Sequence, residues 1–256
     1  MKKLITILFT LILLTACGTK EKDANHLKLG MIGSDSVVWN YIIEELKKDD
    51  ITLEIIAFSD YTQVNAALDQ GEVDLNAFQH QAYLDKENEE LGYDIVSIGK
   101  TVIAPLGLYS NNITDIKEVK KGDTVSIPND VTNGGRALQL LAAAGLLELE
   151  DVAVPSLKDI KNNPYDLEIL EIAAANLPIT LDDVTLAAIN SGIAVDAGFS
   201  PAQDSIVFEE VALDSDNPYI NIIAANRKDK DNPLFKKVLA VYDTAAVRGL
   251  IIEDSK

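Results

Sequence analysis

The sequence predicts an α/β fold with mostly parallel sheets, divided into two lobes with a ligand cleft between them. Short apolar segments typical of strands alternate with amphipathic segments of helical periodicity along most of the chain. Strands separated by helices pair in parallel and are covered on both faces. A long extended stretch near the middle, and a late strand that leads into terminal helices, favour a chain that crosses to a second lobe and later returns. The alternative, which periodicity alone also allows, is a single doubly wound sheet. Ligands of such folds lie at the carboxyl ends of strands.

The individual elements follow from local patterns and from residues that end helices. Strands are predicted at residues 27–32, 51–58, 73–76, 124–127, 167–172, 185–189, 207–213 and 219–225, with an extended stretch at 95–109 that Pro105 and Gly107 interrupt. Helices are predicted at residues 37–48, 62–70, 79–90, 132–144 and 232–252, two of which end at Gly71 and Gly145. The first lobe is predicted to comprise residues 27–107 with 222–256, and the second lobe residues 108–221.

The amino terminus has the organisation of a secretory signal. Lys2 and Lys3 form a basic start, residues 4–14 are almost wholly apolar, and Cys17, the only cysteine, follows small residues. The apolar run is too short for a membrane-spanning helix. This order resembles the lipobox of bacterial lipoproteins, in which the signal is cut before a cysteine that is then lipidated. The alternative is an ordinary signal whose cysteine merely lies near the cut.

The lipobox resemblance implies how the protein is held in the cell. Residues 1–17 are expected to be a lipoprotein signal peptide with a lipidated Cys17, and residues 18–26 a polar tether. Several acyl chains on one cysteine provide the multiple anchors that stable membrane attachment requires. We therefore expect a lipid-anchored protein on the extracytoplasmic face of the bacterial cell membrane.

The charge excludes some partners. The chain has 22 basic and 41 acidic residues, a net charge of −19, which becomes −21 when Lys2 and Lys3 are removed with the signal. Nucleic acid is not expected as a partner, because phosphate binding needs clustered Lys and Arg. Electrostatic docking on anionic lipid is not expected either. With Cys17 lipidated no disulfide is available, so a hydrophobic core must hold the fold together.

A first polar and aromatic cluster lies at residues 75–85, where a short strand gives way to a helix. It contains Phe78, His80 and Tyr83 within six residues. Such a convergence suits the capture of a small polar ligand, whereas a catalytic or metal centre needs more reactive groups. The alternative is that the two aromatic residues pack in the core and that the histidine is structural.

A second cluster, residues 126–138, contains a turn at Pro128 and Asn129, two glycines and Arg136. One of three polar residues is expected to cap the following helix, namely Asp130, Thr132 or Asn133. Free amides at a helix start favour an anion, and an arginine fork matches a carboxylate bidentately. The alternative is a capped helix with a surface arginine. The segment lacks the Gly-Lys-Ser/Thr ending of a phosphate-binding loop, so it does not predict nucleotide triphosphate binding.

Taken together, the motifs of the chain resemble the NlpA/MetQ family of lipoproteins, the methionine-binding receptors of bacterial ABC importers. The matching segments run in family order from about residue 27 to the carboxyl end. They are Phe58-Ser59-Asp60-Tyr61, residues 75–85, residues 104–110, Ile127-Pro128-Asn129-Asp130, Gly135-Arg136-Ala137-Leu138, Ala188-Ile189-Asn190 and residues 217–223. Each motif alone is modest, but the set is specific.

The resemblance implies a periplasmic-binding-protein-like (type II) fold whose lobes close on one amino acid. Residues carried over by motif would line the side-chain pocket, namely Tyr61, Phe78, His80 and Tyr83. Arg136 would clamp the α-carboxylate, and Asn190 and Asn221 would bond the α-amino and carboxylate groups. The implied ligand is L-methionine or a close relative, delivered by a monomeric receptor to an ABC permease and its ATPase. The resemblance implies no enzymatic activity, no cofactor and no metal.

The sequence departs from the family pattern at two positions. Ala82 stands where many members have proline, which concerns only a turn. Asn190 is followed by Ser191-Gly192-Ile193-Ala194, so a tyrosine frequent in the family is missing, which predicts a wider pocket. The alternatives are therefore another apolar amino acid or a methionine-containing dipeptide as the ligand.

Three other classes of protein compete with a transport receptor. A hydrolase is compatible with the many carboxylates, but the chain has no Gly-x-Ser-x-Gly elbow. A metal receptor would need more than one usable histidine, and residues 214–217 lack the spacing of an EF-hand loop. A non-transport surface lipoprotein would not need Arg136 and the convergent amides.

Overall fold

The computed structural model of the protein describes residues 24–33, 36–212 and 214–254. The predicted signal, the lipidation at Cys17 and residues 18–23 of the predicted tether lie outside these residues. The strands are β1 His26–Ile32, β2 Thr52–Phe58, β3 Leu75–Asn76, β4 Ile95–Ile103, β5 Leu106–Tyr109, β6 Thr124–Pro128, β7 Glu148–Leu149, β8 Ile160–Asn162, β9 Glu168–Ile172, β10 Leu186–Asn190, β11 Val207–Phe208 and β12 Ile220–Asn226. The α-helices are α1 Val37–Lys47, α2 Tyr61–Asp69, α3 Gln81–Leu91, α4 Val131–Ala143, α5 Ser191–Asp196, α6 Pro201–Asp204, α7 Pro233–Tyr242 and α8 Ala245–Asp254. No helix among these residues is both long enough and apolar enough to cross a bilayer.

The strands form two five-stranded sheets and one small hairpin, β7–β8. The first sheet has the order β2-β1-β3-β12-β4 and the second the order β11-β5-β10-β6-β9. In each sheet four strands run in the same direction and one runs against them, β12 in the first sheet and β5 in the second. The predicted α/β architecture with two mostly parallel sheets is therefore confirmed.

Each sheet is covered by helices on its two faces and builds its own core. The first sheet packs α1, α7 and α8 on one face, around Trp39, Ile42 and Val238. Leu68 and Leu84, from α2 and α3, cover the other face. The second sheet has separate clusters around α4 and around the segment before β10. We call the sheets with their helices the first lobe and the second lobe.

The chain crosses between the lobes at two places. It leaves the first lobe between β4 and β5 and returns between β11 and β12. Pro105 lies at the first crossing, where its missing N–H interrupts the ladder, so the predicted stretch 95–109 divides into two strands in different sheets. The predicted lobe boundaries, after residue 107 and before residue 222, fall inside β5 and β12, and they stay a proposal.

The helices begin where short polar side chains accept hydrogen bonds from their first turn. Ser36, Asp60, His80, Asp130 and Asn232 accept such bonds at the starts of α1, α2, α3, α4 and α7. Because His80 is a cap, α3 begins at Gln81 rather than at residue 79 as predicted.

Two further predictions need correction, and four short elements were not predicted. The single terminal helix predicted at 232–252 is two helices, α7 and α8, separated at Asp243 and Thr244. The strand predicted at 207–213 comprises only Val207–Phe208, and Leu213 lies outside the described residues. The short elements β7, β8, α5 and α6 were not predicted, because segments of two to six residues carry too little periodicity.

Candidate functional site

All seven predicted ligand-binding residues line one cavity between the lobes. They are Tyr61, Phe78, His80, Tyr83, Arg136, Asn190 and Asn221. The cavity has a volume of about 540 Å³, which is within the range of small-molecule sites. A more open groove of about 770 Å³ lies beside Glu209 and Tyr219 and contains none of the seven residues.

The direction of the strands explains why distant residues meet in this cavity. Tyr61 follows the carboxyl end of β2, and Asn190 is the last residue of β10. Three other residues lie after β3, and Arg136 lies in α4, which follows β6. Because β12 runs against its neighbours, its amino end, where Asn221 lies, reaches the same edge. The cavity therefore lies at the carboxyl edge of both sheets, as expected for open α/β folds.

Three aromatic rings form one wall of the cavity. The ring centroids of Tyr61, Phe78 and Tyr83 are 5.7 to 6.1 Å apart, in tilted or edge-to-face arrangements. The Tyr83 hydroxyl donates to Glu87 Oε1 at 3.3 Å. Burial raises the pKa of both tyrosines above the ordinary value, so the phenols stay protonated. The wall thus offers a rigid apolar surface without a negative charge on its rings.

A buried amide network supports the aromatic wall from behind. Asn65 and Gln79 exchange two hydrogen bonds of 2.7 and 2.8 Å, and Asn76 Nδ2 donates to Asn65 Oδ1 at 2.8 Å. All three side chains are almost completely buried. They position the segment between β3 and α3, which includes Phe78.

His80 is a buried neutral side chain with both ring nitrogens occupied. Its Nδ1 accepts a hydrogen bond from the Tyr83 backbone N–H at 3.0 Å, so the proton lies on Nε2. Nε2 donates to Asn133 Oδ1 in the second lobe at 3.2 Å. Burial, and then the positive charge of Arg136, lower the pKa of His80 to about 3. His80 therefore connects the lobes, a role that its predicted contact with ligand did not include.

Arg136 is 1% exposed, and most of its N–H groups already have partners. Nε and Nη2 donate to Glu209 Oε1 and Oε2 at 3.1 and 2.5 Å. Nη2 also donates to the Ala104 carbonyl, and Nη1 donates to Asn133 Oδ1 at 3.3 Å. The guanidinium lies 4.6 Å from the centre of the Tyr219 ring. Of five N–H groups, one on Nη1 remains for a ligand, so the fork that was predicted to clamp a ligand holds Glu209 instead.

The start of α4 is occupied by its own cap. The Asp130 carboxylate accepts from the Asn133 backbone N–H at 2.9 Å and from the Thr132 hydroxyl at 3.0 Å. Among the three candidate caps, Asp130 is the one that the structure selects. The expectation of free amides that attract an anion here is wrong at Asn133, because this carboxylate already satisfies that amide.

The two asparagines differ in their surroundings. Asn190 Nδ2 donates to Asn133 Oδ1 at 2.9 Å, whereas its buried Oδ1 has no hydrogen-bond partner among the described residues. Asn221 is half-buried at the cavity. A buried unpaired acceptor is costly unless something else satisfies it, so Asn190 Oδ1 marks a place for a donor.

The segment after Asn190, where the tyrosine is missing, lies along the cavity. A Cβ atom added at Gly192 would meet no atom within 4 Å, and Gly192 lines the cavity. The next residue, Ile193, is buried and also lines it. Asp196 lines the cavity as well, and burial raises the pKa of its carboxyl group. This side of the cavity therefore carries an acceptor.

The sequence analysis gave no site role to Asn133 and Asp196, which line the cavity, or to Glu209 and Tyr219, which contact Arg136. Asn133 and Arg136 are three positions apart, so helical spacing places them on one face of α4 and was an available signal. Glu209 lies 73 positions from Arg136, and no local pattern announces that pairing.

The described residues show no group of three or more His, Cys, Asp or Glu side chains placed to hold a metal ion. Among the described residues that line the cavity, Asp196 is the one Asp or Glu, and the other side-chain acceptors are amides and hydroxyls. These groups bind polar organic ligands through hydrogen bonds.

Comparisons with known proteins agree with this geometry. Two α/β lobes with a cavity at the carboxyl edge of both sheets define the periplasmic-binding-protein-like fold. A solved nutrient-binding protein from Burkholderia cenocepacia, bound to methionine, superposes with a TM-score of 0.82 at 40% identity, covering 88% of this chain and 95% of that one. The substrate-binding protein of a methionine transporter from Streptococcus pneumoniae gives a TM-score of 0.84 at 36% identity, covering 90% and 93%.

Sequence comparison identifies the family. The model of the NlpA lipoprotein family matches residues 27–256. The D-methionine-binding lipoprotein MetQ of Salmonella typhi is 41% identical over 240 residues, which are 91% of this chain and 87% of that protein. The chain belongs to the NlpA lipoprotein family.

Proposed function

We propose that the protein is the lipid-anchored solute-binding protein of an ABC importer, and that it binds L-methionine or a close relative. The observation that carries the proposal is one cavity in which an aromatic wall stands beside unpaired polar groups. Tyr61, Phe78 and Tyr83 provide the wall, and the unpaired acceptor is Asn190 Oδ1. A flexible thioether packs well on aromatic rings, which supports methionine.

The polar groups suit the zwitterion of an α-amino acid. An α-ammonium group has three N–H donors, and Asn190 Oδ1 and the Asp196 carboxylate are acceptors at the cavity. An α-carboxylate needs donors, which the remaining N–H of Arg136 and the amide of Asn221 supply. Glu209 neutralises the charge of Arg136. The guanidinium therefore contributes a directed hydrogen bond to a ligand carboxylate rather than an unpaired positive charge.

The remaining parts of the proposal concern the cell. A lipidated Cys17 would hold the receptor at the extracytoplasmic face of the membrane, close to the permease and its ATPase. We propose that the receptor acts as a monomer, needs no cofactor and catalyses nothing. The names of its relatives, which are binding proteins and lipoproteins, support this assignment.

Titration calorimetry of ligand-stripped protein tests the ligand. We expect heat with L-methionine, and the order of affinity among L-methionine, D-methionine, Gly-Met and other apolar amino acids identifies the natural ligand. Gly-Met tests the wider pocket that the missing tyrosine after Asn190 predicts. No heat and no melting shift with any of these compounds would contradict the proposal.

An Arg136→Lys variant tests the role of the guanidinium. The lysine keeps a positive charge near Glu209 but loses the planar fork, so we expect at least a tenfold loss of L-methionine affinity. Arg227→Lys, at an exposed ion pair with Asp94, is the matched control and should bind as the wild type does. Equal affinity of the wild type and the Arg136→Lys variant would remove Arg136 from the site.

A further inference from the structure

Asn65 lies in α2, behind the aromatic wall, and its side chain is completely buried. Its Nδ2 donates to Gln79 Oε1 at 2.8 Å and to Glu87 Oε2 at 3.4 Å. Its Oδ1 accepts from Gln79 Nε2 at 2.7 Å and from Asn76 Nδ2 at 2.8 Å. An asparagine side chain offers two N–H donors and two lone pairs, so its hydrogen-bonding capacity is fully used.

Two of these bonds connect Asn65 to residues that carry the rings of the wall. Gln79 follows Phe78 directly in the chain. The other oxygen of Glu87, Oε1, accepts from the Tyr83 hydroxyl at 3.3 Å, one helical turn away on α3. The hydroxyl of Tyr83 is therefore held by a residue that does not line the cavity, and the ring is the part that faces a ligand.

The bond from Asn76 ties α2 to the first sheet. Asn76 is in β3, which lies between β1 and β12 in the middle of that sheet. Tyr61 lies one turn before Asn65 on α2, so the two residues are on the same face of the helix. A fixed Asn65 therefore also fixes the place of Tyr61 at the edge of the sheet.

The orientation of the Asn65 amide follows from its partners. The Glu87 carboxylate only accepts hydrogen bonds, so the atom of Asn65 that faces it must be Nδ2. The Oδ1 atom then faces the amide donors of Asn76 and Gln79. A reversed amide would lose buried hydrogen bonds, which is costly. Asn65 does not line the cavity, so it acts on a ligand only through the rings that it supports.

We propose that Asn65 is a positioning residue that holds the three rings of the aromatic wall at the distances and tilts that select the ligand side chain. The inference rests on the proposed function, in which the wall packs against the thioether of methionine. A buried and fully bonded side chain resists displacement, because its movement would leave buried polar groups without partners. Rings supported in this way are preorganised, which favours a side chain of matching shape.

Nuclear magnetic resonance of L-methionine labelled with ¹³C in its methyl group tests this role. The ring currents of Tyr61, Phe78 and Tyr83 should shift the bound methyl proton signal away from its free position. We expect Asn65→Ala to change the size of this shift and to lose at least tenfold in affinity, measured by titration calorimetry. A loss of stability alone would not move the methyl signal of folded protein that is saturated with ligand.

Asn226→Ala is the matched control. Asn226 is also buried in the first lobe, and its Nδ2 donates to the Leu68 carbonyl of α2 at 2.6 Å. It does not line the cavity. This variant also removes a buried asparagine that is bonded to α2, so it should lose stability. It should nevertheless keep the methyl signal and bind within twofold of the wild type.

A second variant at the same position separates the hydrogen bonds from the volume of the side chain. Asn65→Leu keeps the branched shape but offers neither donors nor acceptors to Gln79 and Asn76. We expect a moved methyl signal here as well. If Asn65→Ala does not fold, Asn65→Leu decides: a moved signal supports the positioning role and an unmoved signal overturns it.

The outcomes separate this inference from the proposed function. If the wild type binds none of the tested amino acids, the proposed function and the positioning role are both overturned. If the wild type binds L-methionine and Asn65→Ala leaves the methyl signal unmoved, the positioning role alone is overturned. It is also overturned if Asn226→Ala moves the signal as far as Asn65→Ala does.

Discussion

At the scale of single residues, the site is built from groups that satisfy one another's hydrogen bonds and charges. Arg136 is buried and paired with Glu209 in the same lobe, which avoids an uncompensated buried charge. His80 stays neutral because burial and the neighbouring guanidinium disfavour its protonation. What remains unpaired is Asn190 Oδ1, and a ligand donor would satisfy it. The proposed ligand-binding residues are therefore held in place by neighbouring side chains such as Glu209.

The pKa of His80 predicts how the free energy of unfolding depends on pH. Unfolded histidine titrates near its ordinary value of 6.5, whereas folded His80 has a pKa of about 3. Between these values the unfolded state binds more protons, so stability falls as pH falls through this window. We expect His80 alone to remove about 2 kcal/mol between pH 7 and pH 5.

Urea denaturation of the wild type and of His80→Asn at pH 5, 6 and 7 measures this effect. The asparagine does not titrate, so its stability should change less over the window, and the difference between the two curves isolates the histidine from the many carboxylates. Parallel curves would show that His80 titrates in the folded protein with the same pKa as in the unfolded chain.

At the scale of elements, α4 begins at the Asp130 cap and carries both Asn133, which contacts His80 of the first lobe, and Arg136. Its first turn packs closely against the end of β6. A Cβ atom at Gly134 would lie 2.8 Å from the Pro128 carbonyl oxygen, and one at Gly135 would lie 2.8 Å from a Val154 methyl group. Glycine is therefore required at the start of α4 for close approach and not for an unusual φ angle. The strand, turn and helix predicted within residues 126–138 are present, whereas the close packing at the two glycines is visible only in the structure.

Two helical glycines provide a matched pair of substitutions. Gly249, in α8, has no atom within 4 Å of its added Cβ, so Gly249→Ala should stabilise the protein by about 0.5–1 kcal/mol through helix propensity. Gly134→Ala must displace a backbone carbonyl, and we expect it to destabilise by about 1–3 kcal/mol. Chemical denaturation compares both variants with the wild type. A stabilising Gly134→Ala would mean that α4 moves away from β6 at little cost.

At the scale of the whole molecule, two lobes with separate cores share one cavity that neither lobe forms alone. His80, from the first lobe, and Arg136 and Asn190, from the second, all line it. A ligand that contacts both lobes binds the folded state and not the unfolded chain, so it stabilises the protein by mass action. Trp39, the only tryptophan, also lines the cavity and is a natural reporter of its occupancy.

We expect L-methionine to change the Trp39 emission and to raise the free energy of unfolding. At a concentration of 100 times the dissociation constant, the increase should be about 2.7 kcal/mol. L-Aspartate is the control, because its charged side chain would be desolvated against the aromatic wall without a partner. Equal stabilisation by both amino acids would contradict the role of the wall.

The sequence by itself determined the alternation of strands and helices, which follows from periodicity and from turn and cap residues that act over a few positions. The two lobes fit that pattern without being required by it, and the proposed ligand-binding residues came from the family resemblance. The division of residues 95–109 between two sheets was not determined locally, because Pro105 shows an interruption but not a change of sheet. The lengths of α7, α8 and β11 likewise depended on packing.

Only the tertiary structure decided which partners the site residues take. The sequence placed Arg136 at a helix start but did not show that Glu209, 73 positions away, would occupy its fork. It placed His80 beside a strand end but did not show that Asn133 would join it to the second lobe. The physical reason is that local patterns determine which strand or helix carries a side chain. Buried hydrogen bonds between distant segments determine which of its donors and acceptors stay available for a ligand.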